Sequence, residues 1–222
     1  MSTLEISPLP WSYQTYLFDL DGTLLNTTPD IATAVNLTRH VYGLQPLSEE
    51  EVELGVGRGA MELIRATFPQ ELHGELHSIR EEFVNAYREH LCVGTHPFPN
   101  AIPLLKALRS HEKKIGLVTN KPRDLAIPLL KKLEMFELFE VHYYGDSLPT
   151  KKPSPEPLIE AARALNSRTE RCLFIGDTEV DAQAAYAAQM PLALVHWGRH
   201  APIAHAKGGE ALIIDFSHQA RE

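Results

Sequence analysis

Cysteine is scarce in this sequence: 222 residues contain only Cys92 and Cys172, and the two stand in no metal-ligand or redox spacing. Basic runs are also missing. With 21 Lys and Arg against 29 Asp and Glu, the net charge is -8, which argues against nucleic acid as a partner. It leaves room for a small anionic substrate, which needs only local positive charge. No apolar run approaches membrane-spanning length, so no membrane partner is expected. The opening Met1-Ser2-Thr3-Leu4-Glu5 lacks the basic and apolar regions of a signal peptide. Repeats and low-complexity tracts do not occur. Together these absences lead us to expect a cytoplasmic protein with reduced thiols.

Hydrophobic residues make up 44% of the chain, enough for a substantial core. The length allows one large domain or a domain carrying an insertion. The organising stretch is Tyr16-Leu17-Phe18-Asp19-Leu20-Asp21-Gly22-Thr23. Its apolar start reads as a short buried strand, and residues i and i+2 of a strand share a side. Asp19 and Asp21 therefore face one pocket, with Gly22 turning the chain away. Two carboxylates so placed repel unless a cation or a shared proton separates them. Taken alone, the pair also fits a surface turn of the Asp-Gly type.

Residues 1–12 carry two prolines and no periodicity, and read as a loose arm. Thr28-Pro29-Asp30 reads as a helix start with Thr28 as N-cap, Ile31, Ala34 and Val35 inward, and Gly43 at the end. Ser48-Glu49-Glu50-Glu51 resembles a capping box. A break at Gly55-Val56-Gly57-Arg58-Gly59 precedes a helix over 60–67, and a long amphipathic helix is expected over 71–92. Residues 28–94 thus hold no strand candidate. Beyond the Pro-rich 95–100, helices over 101–110, 123–133, 156–165 and 179–188 alternate with strands at 114–118, 141–144, 172–175 and 192–195. Such alternation means right-handed crossovers and a parallel sheet. The predicted organisation is an α/β core, 1–27 and 95–222, interrupted by a helical insertion, 28–94.

In such sheets the site lies at the carboxyl ends of the strands. There the sequence places Asp19 and Asp21, then Thr119-Asn120-Lys121, then Lys151-Lys152-Pro153, then Asp177-Thr178-Glu179-Val180-Asp181. Each has a plain alternative: Thr119 as a helix cap, Asp177 as a loop acid, Lys152 as a solvated lysine. Their gathering at consecutive strand ends favours a site.

These motifs, in this order, resemble those of the haloacid dehalogenase superfamily of phosphohydrolases, over 16–198. Within it, 18–24 with Pro29-Asp30, Val56-Gly57-Arg58-Gly59-Ala60 and 152–158 are similar to phosphoglycolate phosphatases. The resemblance implies a Rossmann-like parallel α/β core with a small all-helical cap after the first strand. The chemistry of a phosphate ester then assigns Asp19 as nucleophile, forming an aspartyl-phosphate, and Asp21 as general acid and base. Mg²⁺ suits oxygen ligands, with Asp19 and Asp177 as side-chain ligands; the resemblance adds Asp21 through its backbone carbonyl. Asp181 stands behind Asp177 and supports the metal or Lys152. Thr119, backbone N–H groups beside Asn120, and Lys152 hold the transferring oxygens. Lys151 is the rival for the lysine role; Lys152 is preferred because the family's lysine directly precedes the proline.

The cap is expected to choose the substrate, with Gly57 and Arg58 in its contact loop and the guanidinium taking a carboxylate such as that of 2-phosphoglycolate. A helix-breaking turn with a surface arginine is the alternative. Arg39, Arg65, Arg80 and Arg88 read as solvated. Asn26 stands where phosphoglycolate phosphatases usually have Asp, and Gln189 where Gly is usual. The scattered histidines read as surface residues. Asp21 favours a phosphatase over a dehalogenase. No lysine precedes Lys106, which removes the Schiff-base phosphonate reaction. Another sugar-phosphate phosphatase, a nucleotidase, a pyrophosphatase and a β-phosphoglucomutase-like mutase stay open. A non-catalytic binding module is disfavoured by the retained acids, and a monomer or homodimer is expected.

Overall fold

The computed structural model describes residues 9–195, 211–214 and 216. Its strands are β1 (Thr15–Phe18), β2 (Leu25–Asn26), β3 (His96–Pro97), β4 (Lys114–Val118), β5 (Val141–Tyr143), β6 (Cys172–Gly176), β7 (Leu192–Val195) and β8 (Leu212–Ile214). Its helices are α1 (Thr28–Val41), α2 (Glu49–Glu53), α3 (Ala60–Thr67), α4 (Leu76–Glu89), α5 (Ala101–Ser110), α6 (Arg123–Lys132), α7 (Glu156–Ala164) and α8 (Glu179–Ala187). Six strands form one sheet in the order β5-β4-β1-β6-β7-β8, every pair parallel. None of the described helices is long and apolar enough to cross a membrane.

Period-two alternation explains how the sheet is covered. Tyr16, Phe18, Ile115, Leu117, Leu173 and Ile175 face a cluster with residues of α5 and α6. Leu17, Val118, Cys172 and Phe174 face the opposite cluster with α7 and α8. A third cluster joins α1, α2, α3 and α4, with Leu125 of α6 reaching into it. Because Phe18 pairs with Leu117 on one side and Ile175 on the other, three strands end at the same level.

Short β2 and β3 pair antiparallel where the chain leaves the sheet for the helical segment and returns. Asn26 is buried in this stem, beside His96. Asp30 fastens it. Its carboxylate accepts from the backbone N–H of Val93, Gly94 and Thr95 at 3.1, 2.6 and 3.0 Å, and from the Thr95 hydroxyl at 2.6 Å. Burial would raise the Asp30 pKa, but these donors outweigh it and hold the carboxyl below its ordinary value.

Several expectations need correction. Leu9 is buried against the first cluster and the Tyr16 hydroxyl donates to Pro10 O at 2.7 Å, so the described part of the 1–12 arm is docked; residues 1–8 lie outside the description. Thr28 is the first helical residue, with Thr27 in the cap position and making no cap hydrogen bond. The 71–92 helix is broken: Gln70–Glu75 is a 3₁₀ helix containing Gly74, a poor helix former, and α4 starts at Leu76. Arg39 is half-buried rather than fully solvated, and donates to the carbonyls of Gln45 and Thr67. His142 stacks on Phe136 and is half-buried rather than on the surface. Gln189 takes φ +53, a left-handed turn of the kind that favours glycine. His196, His200, His205 and His218 lie outside the described residues, as do the last residues of the match to 198.

Asp30→Ala would leave three stem N–H groups without their acceptor. Urea denaturation is expected to show a loss of about 2–4 kcal/mol, with a smaller loss for Asp30→Asn, which keeps one acceptor oxygen.

Candidate active site

The level strand ends place the acids side by side. Asp19 follows β1, is buried, and its backbone N–H donates to Ile175 O at 2.9 Å. Its Oδ1 lies 2.7 Å from Lys152 Nζ, and the same ammonium lies 2.7 Å from Asp181 Oδ1. Lys152 is 2% exposed and rests over the Phe174 ring. Lys151 is only half-buried, and its ammonium sits against the backbone of Gly59, where a Cβ would approach it to 2.8 Å.

Asp177 accepts from the Thr23 hydroxyl at 2.7 Å. Gly22 makes this approach possible: at φ +84, a Cβ there would fall 2.1 Å from Asp177 Oδ2. Asp181 is the reciprocal member of a capping box with Thr178 that opens α8, so local helix chemistry also aims its other oxygen at Lys152. Asp19, Asp177 and Asp181 offer oxygens within 4.8 Å of one another. Burial pushes the Asp19 carboxyl up to about 7; Lys152 opposes this and the nearby Asp181 and Asp21 add to it. Burial also raises Asp177 well above its ordinary value, with Asp181 and Asp19 adding to the effect. Three hard oxygen donors facing a single ammonium suit a divalent cation such as Mg²⁺.

Asp21 faces the same cleft as Asp19 but pairs with a different lysine. Its carboxylate receives Lys121 Nζ at 2.9 and 3.2 Å, and Lys121 also donates to the Tyr87 hydroxyl at 2.9 Å. Burial disfavours the charge on Lys121, but Asp21 and Tyr87 outweigh it and raise its pKa. Burial pushes Tyr87 up to about 12. Thr119 sits at the end of β4, with its hydroxyl oxygen accepting from the Lys121 N–H at 3.2 Å. Asn120 Nδ2 donates to Gly57 O at 3.0 Å and to Lys152 O at 2.8 Å, and so joins the helical segment to the lysine loop.

A cleft of about 450 Å³, partly open to solvent, lies between sheet and helices. Asp19, Asp21, Thr119, Asn120, Lys121 and Gly57 line it. Apolar Ile31, Val56, Leu63, Phe83 and Leu125 and the phenol of Tyr87 are also in its wall. Asp177, Asp181 and Lys152 stand behind Asp19. Arg58 is not among the lining residues: its guanidinium is half-exposed, 4.0 Å from Glu179. The sequence reading gave Lys121, Tyr87 and Thr23 no role in the site. Lys121 directly follows Thr119-Asn120 at a strand end, and Tyr87 brings a polar tip to an otherwise apolar helix face; those were the available signals.

A parallel sheet with buried carboxylates and a buried lysine at its strand ends defines an α/β protein with an acidic site able to hold a divalent cation. The family model of haloacid dehalogenase-like hydrolases matches residues 16–195. A phosphoglycolate phosphatase of Nitrosospira multiformis is 35% identical over 196 residues, 86% of each chain. An N-acetylmuramic acid 6-phosphate phosphatase of Pseudomonas aeruginosa is 35% identical over 201 residues, covering 90% of this chain and 89% of that one. A crystal structure from Haemophilus somnus, described as a predicted phosphoglycolate phosphatase, superposes with a TM-score of 0.84 at 29% identity, covering 92% of this chain and 95% of that one. The chain belongs to the haloacid dehalogenase-like hydrolase family.

In metal-free protein the native state binds the Asp19 proton more tightly than the unfolded chain, because its pKa rises from 3.8 to about 7. That contribution is complete below about pH 4 and disappears as the pH rises through about 7. Denaturation in EDTA is expected to show Asp19→Asn gaining on the wild type by roughly 2–4 kcal/mol between pH 5 and 8. A pH-independent difference would contradict this assignment.

Proposed function

We propose that this chain hydrolyses a small phosphomonoester through an aspartyl-phosphate on Asp19, with 2-phosphoglycolate as the substrate. The observation that carries the reading is the cleft in which Asp19, backed by Lys152, and Asp21 face the same space. The Nitrosospira relative, named a phosphoglycolate phosphatase, supports the substrate.

In this reading an Asp19 carboxylate oxygen attacks phosphorus while the bond to the leaving oxygen breaks, and Asp21 gives that oxygen a proton. Asp21 then takes a proton from water, whose oxygen attacks the phosphoryl group and releases Asp19. The Lys152 ammonium and the Thr119 hydroxyl hold the transferring oxygens. Asp19 and Asp177 would hold Mg²⁺, with Asp181 beside them and the Asp21 carbonyl added by family likeness. The cation supplies positive charge that offsets repulsion between Asp19 and a phosphate dianion. Residues 28–94 act as a cap over the core, 1–27 and 95–222, and Gly57 closes the cleft through Asn120. Arg58, facing Glu179, contacts substrate only if the cap loop turns it inward.

A second reading rests on the Pseudomonas relative, named for N-acetylmuramic acid 6-phosphate. Both names describe phosphate esters whose alcohol part carries a carboxylic acid. Phosphate release from a panel of esters, pyrophosphate and nucleotides, with Mg²⁺ and then EDTA, separates the readings. Mg²⁺-dependent release lost in Asp19→Asn is expected. Asp21→Asn should lower kcat by about 10²–10⁴-fold, and Thr119→Ala by about 10²–10³-fold. Release from no ester by folded, metal-binding protein would refute the phosphatase reading.

A further inference from the structure

We infer that Lys121 is the residue that reads a carboxylate on the alcohol part of the substrate. This inference rests on the phosphatase reading above and adds a specificity residue to it.

Among the described residues lining the cleft, Lys121 is the sole cation. The other basic groups nearby are committed elsewhere. Lys152 lies behind Asp19, bonded to it and to Asp181. Arg58 faces Glu179, Arg88 pairs with Asp124, and Arg39 is bound to the Gln45 and Thr67 carbonyls. Lys151 holds its ammonium against Gly59 at the edge of the cleft, so an acid group that enters beside Asp21 meets Lys121, with Lys151 the second cation at the rim.

The place of Lys121 fits that task. It contacts Asp21, the group that serves the leaving oxygen, at 2.9 Å, so it stands on the leaving-group side of the reaction. On its other side is Tyr87 of α4, within hydrogen-bond distance and with the ammonium 4.6 Å from its ring centre. Lys121 is thus held between core and cap, and only 5% of it is exposed. An ammonium already stripped of water and fixed in position binds an anion without the loss of freedom that a solvated surface lysine undergoes. Its three donors now meet the two Asp21 oxygens and the Tyr87 hydroxyl, and a substrate carboxylate would displace one of these acceptors. Phe83, Ile31 and Leu125 in the same wall are apolar, so Lys121, Asp21 and Tyr87 are the polar groups a substrate meets there, and of these only Lys121 carries positive charge. A site built this way discriminates by charge.

The experiment compares esters that differ in this group alone, with Mg²⁺ present: 2-phosphoglycolate against 2-hydroxyethyl phosphate, and N-acetylmuramic acid 6-phosphate against N-acetylglucosamine 6-phosphate. The unmodified protein should favour the acid member of at least one pair by about 10²-fold in kcat/KM. Lys121→Met should reduce that preference by about 10²-fold, and Lys121→Arg should keep most of it because the charge stays. Equal use of both members by the unmodified protein overturns the inference while leaving the phosphatase reading intact, and needs no variant that folds. Equal loss on both members in Lys121→Met also overturns it, because Lys121 would then serve only to position Asp21. Release from no ester at all overturns the phosphatase reading, and the inference with it.

Discussion

The buried ammonium of Lys152, shared between Asp19 and Asp181, is the interaction on which the rest of the site depends. Three carboxylates at the end of a central parallel sheet would repel and drive one another to protonate without it. Removing one partner of such a buried pair typically costs about 3–5 kcal/mol, because a charge is left without compensation. One ammonium cannot balance three buried acids: burial raises the pKa of Asp19 and of Asp177, and the neighbouring acids add to it. The local structure is shaped around that imbalance. Gly22 removes a side chain so Asp177 can approach, and the Thr178–Asp181 capping box aims an acid at Lys152 while starting a helix.

Helical segment and sheet meet through a few polar links. Asn120 bridges Gly57 and the lysine loop, Lys121 bridges Asp21 and Tyr87, and Asp30 ties the two stem strands' approaches together. Each link ends on a residue of the cleft or the stem. Closing the helices over the sheet therefore bears directly on Asp21, the residue assigned to the leaving oxygen. In the proposed reading, substrate choice and proton transfer share one buried lysine.

Much of this was legible beforehand, for identifiable reasons. The sheet strands came from short apolar runs bounded by turns, and their parallel order from alternation with helices. The Ser48 box and the 60–67 helix matched because local caps and spacing decide them. The 71–92 helix was over-extended because its inward apolar spacing hid the break around Gly74. Arg39 and His142 were misread because partners 28 and 6 residues away consume their polar atoms. Lys121 was overlooked since nothing in its neighbours announces a partner 100 residues earlier at Asp21.

By itself the sequence determined the fold class, the order of the strands that carry the site, and the residue types at their ends. Those follow from hydrophobic period and turn chemistry, which are local. Only the tertiary structure decided which cation meets which acid: Lys152 with Asp19 and Asp181, Lys121 with Asp21, and Arg58 outside the cleft beside Glu179. Charge pairing depends on distances across the sheet and between sheet and helices. Chain packing sets those distances, and no spacing along the sequence records them.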